Sequence, residues 1–199
     1  LSHRQHVQWL KEGKRVQWAT EPVAFGYTPM VIVTRPGNPL QIRHLADLAR
    51  PGLNVLHADP LSAGAGEWAV LAAYGNAFLE TQDPTAAEAQ LQAIWQNVRL
   101  VGSSARTTMA LFELGAGEAF MTYEQEALFS QERGSAMDVV VPPRTLVAEH
   151  VAVLVDRNLT RAEFPAAQAF LEFLVSDEAQ PAFALYHLRP ARQDSARFA

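Results

Sequence analysis

Apolar residues along the middle of the chain form two alternating patterns. Short continuous apolar runs, typical of buried strands, alternate with longer segments in which apolar residues recur every three or four positions, as they do in helices. The short runs predict strands at 30–34, 53–57, 98–101 and 118–123. The longer segments predict helices at 42–48, 64–79, 84–97, 107–114 and 125–133. This alternation predicts an α/β fold with a mostly parallel, doubly wound sheet.

The apolar periods also predict which helix faces are buried. The long helix is predicted to carry large apolar side chains on one face: Trp68, Leu71, Tyr74 and Phe78. The helix before it is predicted to pack through Ile42, Leu45 and Leu48. Asp83 and Pro84 predict a helix start, because aspartate favours the N-cap and proline favours the first helical position.

The pattern changes towards the end of the chain. Strands are predicted at 137–141 and 147–155, with a proline-containing connection and no helix between them. Helices that begin near 163 and 176 follow, and a short helix at 3–11 opens the chain.

Two junctions between a strand and a helix are rich in small residues. One spans 58–68 and includes an Ala-Gly-Ala-Gly run, and the other spans 102–107. The first N–H groups of a helix have no acceptor inside it, and the helix dipole makes that end attractive to anions. Both junctions follow strand ends, where open α/β sheets bind their ligands. The sequence therefore predicts that the chain binds a small anion.

Composition narrows the classes of partner and chemistry. The 199 residues are 49% apolar and carry a net charge of −5, with no basic stripe, which argues against a nucleic-acid partner. The absence of cysteine excludes disulfides and thiolate metal sites. No nucleophile elbow, phosphate-binding loop, dinucleotide loop or zinc-binding helix motif is present, so neither an enzyme nor a metal site is expected. Residues 1–18 carry charges throughout, so no signal peptide is expected in this chain.

Five segments, in chain order, resemble one known family. They are 30–39, 60–73, 104–106, 123–128 and 188–190. Residues 35–39, Arg-Pro-Gly-Asn-Pro, stand where that family usually has Arg-Lys-Gly-Asn-Pro, and residues 104–106 stand at its Gly-Ala-Arg. Residues 123–128 resemble its Trp-Glu-Asn-Glu-Ala-Leu. The ordered set resembles the sulfate-binding proteins of ABC importers over nearly the whole chain.

The resemblance implies a type II periplasmic-binding-protein-like fold, with mostly parallel, doubly wound sheets in two lobes joined by two crossing strands. Residues 30–123 would form the second lobe. Residues 1–29 with 124–199 would form a first lobe that is incomplete, because the family's N-terminal part has no counterpart here.

The resemblance also implies what the protein binds and where it works. Its ligand would be a small tetrahedral inorganic oxyanion such as sulfate, held without a metal or cofactor. Its partner would be an ABC permease at the membrane surface, and its location periplasmic or extracytoplasmic. A homodimer could complete the partial lobe.

Eight ligand-binding residues follow from the same resemblance: Ser62, Ala63, Gly64, Ala65, Ser104, Ala105, Arg106 and Tyr123. Ala63 stands where the family has a ligand-binding serine, and Ala65 where it has a second glycine. Glu67 replaces an arginine, and Tyr123 replaces an indole donor with a phenol.

The residues alone leave simpler interpretations open. Ser62 could be an ordinary helix N-cap, Arg106 could pair with an acid such as Glu124, and Tyr123 could only pack. Two other functions also remain open. One is the effector domain of a regulator, which would need a DNA-binding segment, and the other is a degenerate member that binds nothing.

Overall fold

The computed structural model describes residues 2–13, 20–155 and 158–191. Leu1 and residues 14–18 of the charged N-terminal stretch lie outside the described residues. The packing divides the chain into two compact units. Unit 1 comprises Leu1–Thr28 and Ala148–Ala199, and unit 2 comprises Pro29–Val147.

The sheet of unit 2 combines parallel and antiparallel strands. Its strands are β2 (Val23–Thr34), β3 (Val55–Ala58), β4 (Val98–Gly102), β5 (Ala119–Tyr123) and β6 (Asp138–Val140). β3 lies between β4 and β5 and is parallel to both. β2 is antiparallel to β5 on one side and to β6 on the other. The predicted α/β class with a mostly parallel sheet is therefore confirmed around β3, whereas β2 runs the opposite way.

Helices cover both faces of this sheet. They are α2 (Gly64–Thr81), α3 (Pro84–Gln96), α4 (Ala105–Glu113), α5 (Glu124–Glu132) and a 3-10 helix at Leu45–Ala49. Alternate residues of β2 point to opposite faces. Ile32 packs in the core under α2 and α3, and Val33 packs in the core under α4. Thr85 N donates to the Asp83 carboxylate at 2.9 Å, so the predicted start of α3 is confirmed.

The buried face of α2 differs from the prediction in part, although Trp68 packs against the core. Its buried residues are small, namely Ala65, Gly66, Ala69, Ala72, Ala73, Asn76 and Ala77. Leu71, which was predicted to face inward, is 47% exposed. The reason is close packing at the helix start, because a Cβ on Gly66 would lie only 2.7 Å from Asp59 C and from Pro60 N.

The predicted helix at 42–48 is wrong in its first half. Ile42 is buried, but it precedes the 3-10 helix. The Asn38 side chain accepts from Ile42 N at 2.9 Å and donates to Ile42 O at 2.8 Å, and Gln41 has a φ of 50°. These local bonds hold the chain in a turn, which competes with helix formation.

Unit 1 has a smaller sheet and core of its own. Its elements beside the first part of β2 are β1 (Ser2–His3), α1 (Arg4–Glu12), β7 (Val147–Ala152), α6 (Phe164–Leu174), α7 (Ala179–Leu185) and β8 (Arg189–Pro190). β1 pairs antiparallel with β7, and β8 pairs antiparallel with β2. Fully buried Gln180 donates to Phe25 O at 2.9 Å and accepts from Ala191 N at 2.7 Å, so one side chain ties three segments of this unit together.

The chain passes from one unit to the other within β2 and within β7. Unit 2 ends at Val147, whereas the predicted second lobe ends at residue 123. The segment 124–147 belongs to unit 2 because β6 pairs with β2 there, with Ile32 opposite Val140. The assignment of lobes stays a prediction. Among the described residues, no helix is long and apolar enough to cross a bilayer.

Candidate functional site

The two small-residue junctions lie next to each other at one edge of the sheet of unit 2. Ala58 ends β3 and Gly102 ends β4, and the two residues are paired in register. Asp59 N donates to Gly102 O at 2.8 Å, and the Ser62 hydroxyl donates to Ser103 O at 3.4 Å. The starts of α2 and α4 are therefore neighbours, as expected for helices that follow adjacent parallel strands.

Asp59 organises the first junction. Its carbonyl oxygen accepts from Ser62 N at 3.3 Å and from Ala63 N at 2.8 Å. Its carboxylate accepts from Leu61 N at 3.0 Å and from the Ser62 hydroxyl at 2.7 Å. These last two bonds hold the pKa of Asp59 below its ordinary value, because they stabilise the charged form. Two of the predicted donor residues, Ser62 and Ala63, thus have their N–H groups bonded within the chain.

At the start of α2, two backbone N–H groups have no acceptor among the described residues. Ala63 is the N-cap, with extended φ and ψ of −125° and 123°, and no side chain caps the helix. The interpretation of Ser62 as the N-cap is therefore wrong. Gly66 N and Glu67 N both donate to Ala63 O. In the described part of the chain, no acceptor meets the N–H groups of Gly64 and Ala65.

The start of α4 is capped differently but also leaves two donors. Ser104 is the N-cap, and its hydroxyl accepts from Thr107 N at 3.1 Å. A Cβ on Gly102 would lie 2.7 Å from Thr108 N, so the helix start can approach β4 only because residue 102 is glycine. Within residues 20–155, the N–H groups of Ala105 and Arg106 have no acceptor.

The Arg106 side chain extends into solvent and is 86% exposed. Its Nε lies 4.0 Å from Glu126 Oε1, in the first turn of α5. Arg106 therefore pairs with Glu126 rather than with the predicted Glu124, which is buried. An exposed pair at this distance contributes little to stability, but it places a positive charge beside the start of α4.

Tyr123 ends β5 and is the N-cap of α5 at the same sheet edge. Burial raises the pKa of its phenol above the ordinary value, and the charges of Glu67 and Glu126 raise it further. The phenol therefore stays protonated at neutral pH. The same charges show that carboxylates lie near Tyr123.

Sequence reasoning included Asp59 in the first junction but gave it no role in the site. An aspartate directly after a strand and before a proline is a signal for a local side-chain turn, which could have identified it. In the described ranges, no three histidine, aspartate or glutamate residues are grouped so as to hold a metal ion. The arrangement offers open N–H groups and two helix dipoles, which together suit hydrogen bonding to an oxyanion.

Comparisons with known proteins point to one group. The family model described as bacterial extracellular solute-binding protein matches residues 5–189. A sulfate-binding protein of Salmonella typhimurium is 34% identical over 84% of this chain and 53% of its own length. A sulfate-binding protein of Synechococcus elongatus is 32% identical over 81% of this chain and 47% of its own length. The chain therefore spans about half the length of the curated relatives it matches.

Solved structures agree with this grouping. The sulfate-binding protein SubI of Mycobacterium tuberculosis H37Rv has a TM-score of 0.83 and 31% identity, over 96% of this chain and 67% of SubI. PEB3 with bound L-phospholactate has a TM-score of 0.67 at 17% identity, over 94% of this chain and 77% of that chain, and it shares the fold alone. The predicted type of fold is consistent with these matches.

Proposed function

We propose that this chain, which belongs to the family of bacterial extracellular solute-binding proteins, captures a small tetrahedral oxyanion such as sulfate for import by an ABC transporter. The observation that carries the proposal is the pair of adjacent helix starts at the end of β3 and β4. They present four N–H groups without acceptors in the described residues, those of Gly64, Ala65, Ala105 and Arg106. The relatives named above are sulfate-binding proteins, which supports sulfate as the first ligand to test.

Neutral donors suit a doubly charged anion that must leave water. Each helix start carries about half a positive charge from the aligned peptide dipoles. Hydrogen bonds to an ionised acceptor are about twice as strong as neutral ones. Four such bonds and two dipoles would replace part of the hydration shell of the anion, whose loss is otherwise very unfavourable.

The remaining predicted residues take different roles in this proposal. Ser62 and Ala63 shape the first junction, because Asp59 already accepts from their N–H groups. Ser104 caps α4 and so fixes the direction of the two N–H groups that follow it. Tyr123 borders the site at the end of β5, at the same sheet edge.

The carboxylates near Tyr123 would oppose binding of any anion that does not make strong hydrogen bonds. Glu67 and Glu126 both act on the Tyr123 phenol. Arg106 lies beside Glu126 and partly offsets its charge. We therefore expect compact oxyanions to bind and weakly hydrogen-bonding anions such as perchlorate to bind poorly.

Membership of the family supports a proposal for the partner and the location. We propose that the loaded protein delivers its anion to an ABC permease outside the cytoplasm, and that its two units correspond to the two lobes of a binding protein. The proposal includes no enzymatic step.

Isothermal titration calorimetry tests the binding step directly. The protein would be titrated with sulfate, thiosulfate, molybdate, tungstate and phosphate, with perchlorate as a control of similar shape. We expect one sulfate per chain and no measurable heat with perchlorate. If none of the five oxyanions gives heat or a thermal shift, the proposal fails.

A further inference from the structure

An open groove of about 600 Å³ runs between α4 and α5 of unit 2. One stripe of each helix lines it. The α4 stripe begins with Arg106 and ends with Glu113, and the α5 stripe begins with Glu126 and ends with Arg133, the residue directly after the helix. In each stripe the two charged residues are seven positions apart, which is about two turns, so they lie on the same face.

The two stripes have the same spacing and opposite charges. Both helices begin at the same edge of the sheet, because they directly follow the parallel strands β4 and β5. At this end the groove has Arg106 on one side and Glu126 on the other. At the far end the order is reversed, with Glu113 on the α4 side and Arg133 on the α5 side.

The lining between the charges is mixed, because Ser130 and Ser135 lie there beside apolar side chains. Met109 and Ala110 of α4 and Phe129 of α5 line the groove at the positions between the charged ends. Leu114, directly after the last residue of α4, is 84% exposed. Apolar side chains beside charged and hydroxyl groups are a composition that protein interfaces also show, with charges at the rim.

The four charges are only weakly satisfied within the chain. Among the described residues, the one ion pair recorded for them is the 4.0 Å contact of Arg106 with Glu126. Glu113 accepts from the Ser135 hydroxyl at 2.5 Å. The Arg133 guanidinium lies 5.6 Å from the centre of the Phe129 ring. All four side chains therefore have charge available for a partner.

We propose that a second copy of this chain docks on the α4–α5 groove through a two-fold axis. With the axis along the helices, Arg106 meets Glu126 of the partner subunit and Glu113 meets Arg133 of the partner subunit. With the axis across the helices, Arg106 meets Glu113 of the partner subunit and Glu126 meets Arg133 of the partner subunit. In either arrangement every corner meets the opposite charge, as an isologous interface requires.

Other kinds of partner fit the charge pattern less well. A uniformly basic or acidic surface would attract two corners and repel the other two. An apolar surface would remove four charged groups from water without pairing them, which is strongly unfavourable. Self-association pairs all four corners.

The size of the groove sets the expected strength. Nine-residue helices are about 14 Å long, so the groove by itself buries less than the roughly 1,200–2,000 Å² of a stable interface. We therefore expect a weak dimer. Because the corner contacts are exposed to solvent, salt should weaken association as the Debye length falls to about 3 Å at 1 M.

Sedimentation equilibrium without added oxyanion tests the proposal. The first variant, Arg106→Glu with Arg133→Glu, has an entirely acidic groove. The second, Glu113→Arg with Glu126→Arg, has an entirely basic one. Wild-type protein should dimerise with rising concentration, and each variant alone should self-associate at least about tenfold more weakly. An equimolar mixture of the two variants should associate at least as strongly as the wild type, whichever axis is used.

A matched control changes charges outside the groove. Glu88→Arg with Arg99→Glu alters two exposed residues of α3 and β4 and should leave association unchanged. Circular dichroism confirms that each variant is folded before mixing. A wild-type chain that stays monomeric at millimolar concentration overturns the proposal, as does a folded mixture that fails to associate or dimerisation that is equal in all variants. Because no oxyanion is present, none of these outcomes bears on the anion-binding proposal.

Discussion

Replacing Gly64 by proline removes one N–H group from the candidate anion site and little else. Gly64 is the first residue of α2, a position that proline favours because its missing N–H has no acceptor within the helix. The residue before a proline must be extended, and Ala63 has φ −125° and ψ 123°. The chain already contains this arrangement at α3, where Asp83, with φ −123° and ψ 113°, precedes Pro84.

The expected loss of affinity follows from one hydrogen bond to a charged acceptor. Such a bond contributes about 1.5–3 kcal/mol. Since about 1.4 kcal/mol corresponds to a tenfold change in Kd, Gly64→Pro should weaken sulfate binding by about 10- to 150-fold. The fold itself should be unchanged or stabilised by up to about 1 kcal/mol, because proline restricts the unfolded chain.

Calorimetric titration with sulfate and thermal unfolding without sulfate separate these two effects. Gly64→Ala is the matched control, because it adds a side chain and keeps the N–H group. Ala105→Pro tests the second junction in the same way, since Ala105 is the first residue of α4 and Ser104 before it is extended. The reasoning is refuted if Gly64→Pro folds normally and binds sulfate with wild-type affinity, or if Gly64→Ala loses as much affinity as Gly64→Pro.

Three further predictions concern stability and are measured by chemical denaturation. Arg35 donates to the carbonyl oxygens of Phe112, Ala116 and Gly117 at 2.6–3.0 Å. Arg35→Ala should therefore lower the free energy of unfolding by about 2–3 kcal/mol, and Arg35→Lys should lower it by less. A loss below about 0.5 kcal/mol for Arg35→Ala would contradict this. Burial lowers the pKa of His57, so the folded state favours the neutral imidazole. The free energy of unfolding should therefore fall as the pH drops below about 6.5, and it should fall less steeply in His57→Gln. If stability falls equally steeply with pH in both proteins, His57 is not responsible. Gly66→Ala should destabilise the protein by about 1–3 kcal/mol, because the added Cβ would meet backbone atoms. Gly75 has open space around it, so Gly75→Ala should stabilise the protein by about 0.5–1 kcal/mol. Equal effects of the two substitutions would show that the close approach at Gly66 is unimportant.

The periodicity of the sequence predicted the order of elements in unit 2 well. Strand runs such as 98–101 and the Asp83-Pro84 start give local signals that do not depend on distant contacts. The direction of β2 could not be predicted in this way. It is set by pairing with β5 and β6, which lie far away in the chain.

Which face of α2 is buried was harder to predict, because it depends on the distance between the helix and the end of β3. Large apolar residues such as Leu71 suggested the inward face, but the end of β3 approaches the helix too closely for any side chain at Gly66. Small residues are buried there instead. Composition alone does not reveal how close a neighbouring backbone will come.

The position of the candidate site could be predicted from the sequence, but the contacts between its side chains could not. Small residues after β3 and β4 indicated the two helix starts, which the structure brings together. The sequence did not show that Asp59 would engage Ser62 and Ala63, because side-chain turns of this kind depend on local backbone conformation. Nor did it show that Arg106 would lie beside Glu126, since those residues are on different helices.

The central claim is that backbone N–H groups at the starts of α2 and α4 hold the anion. Titrating uniformly ¹⁵N-labelled protein with sulfate and following its amide signals by NMR tests this most directly. The amide protons of Gly64, Ala65, Ala105 and Arg106 should move downfield together along one binding curve, while that of Thr85, already bonded to Asp83, stays in place. Saturable shifts that leave those four signals unmoved, or no shifts at all, would contradict the account.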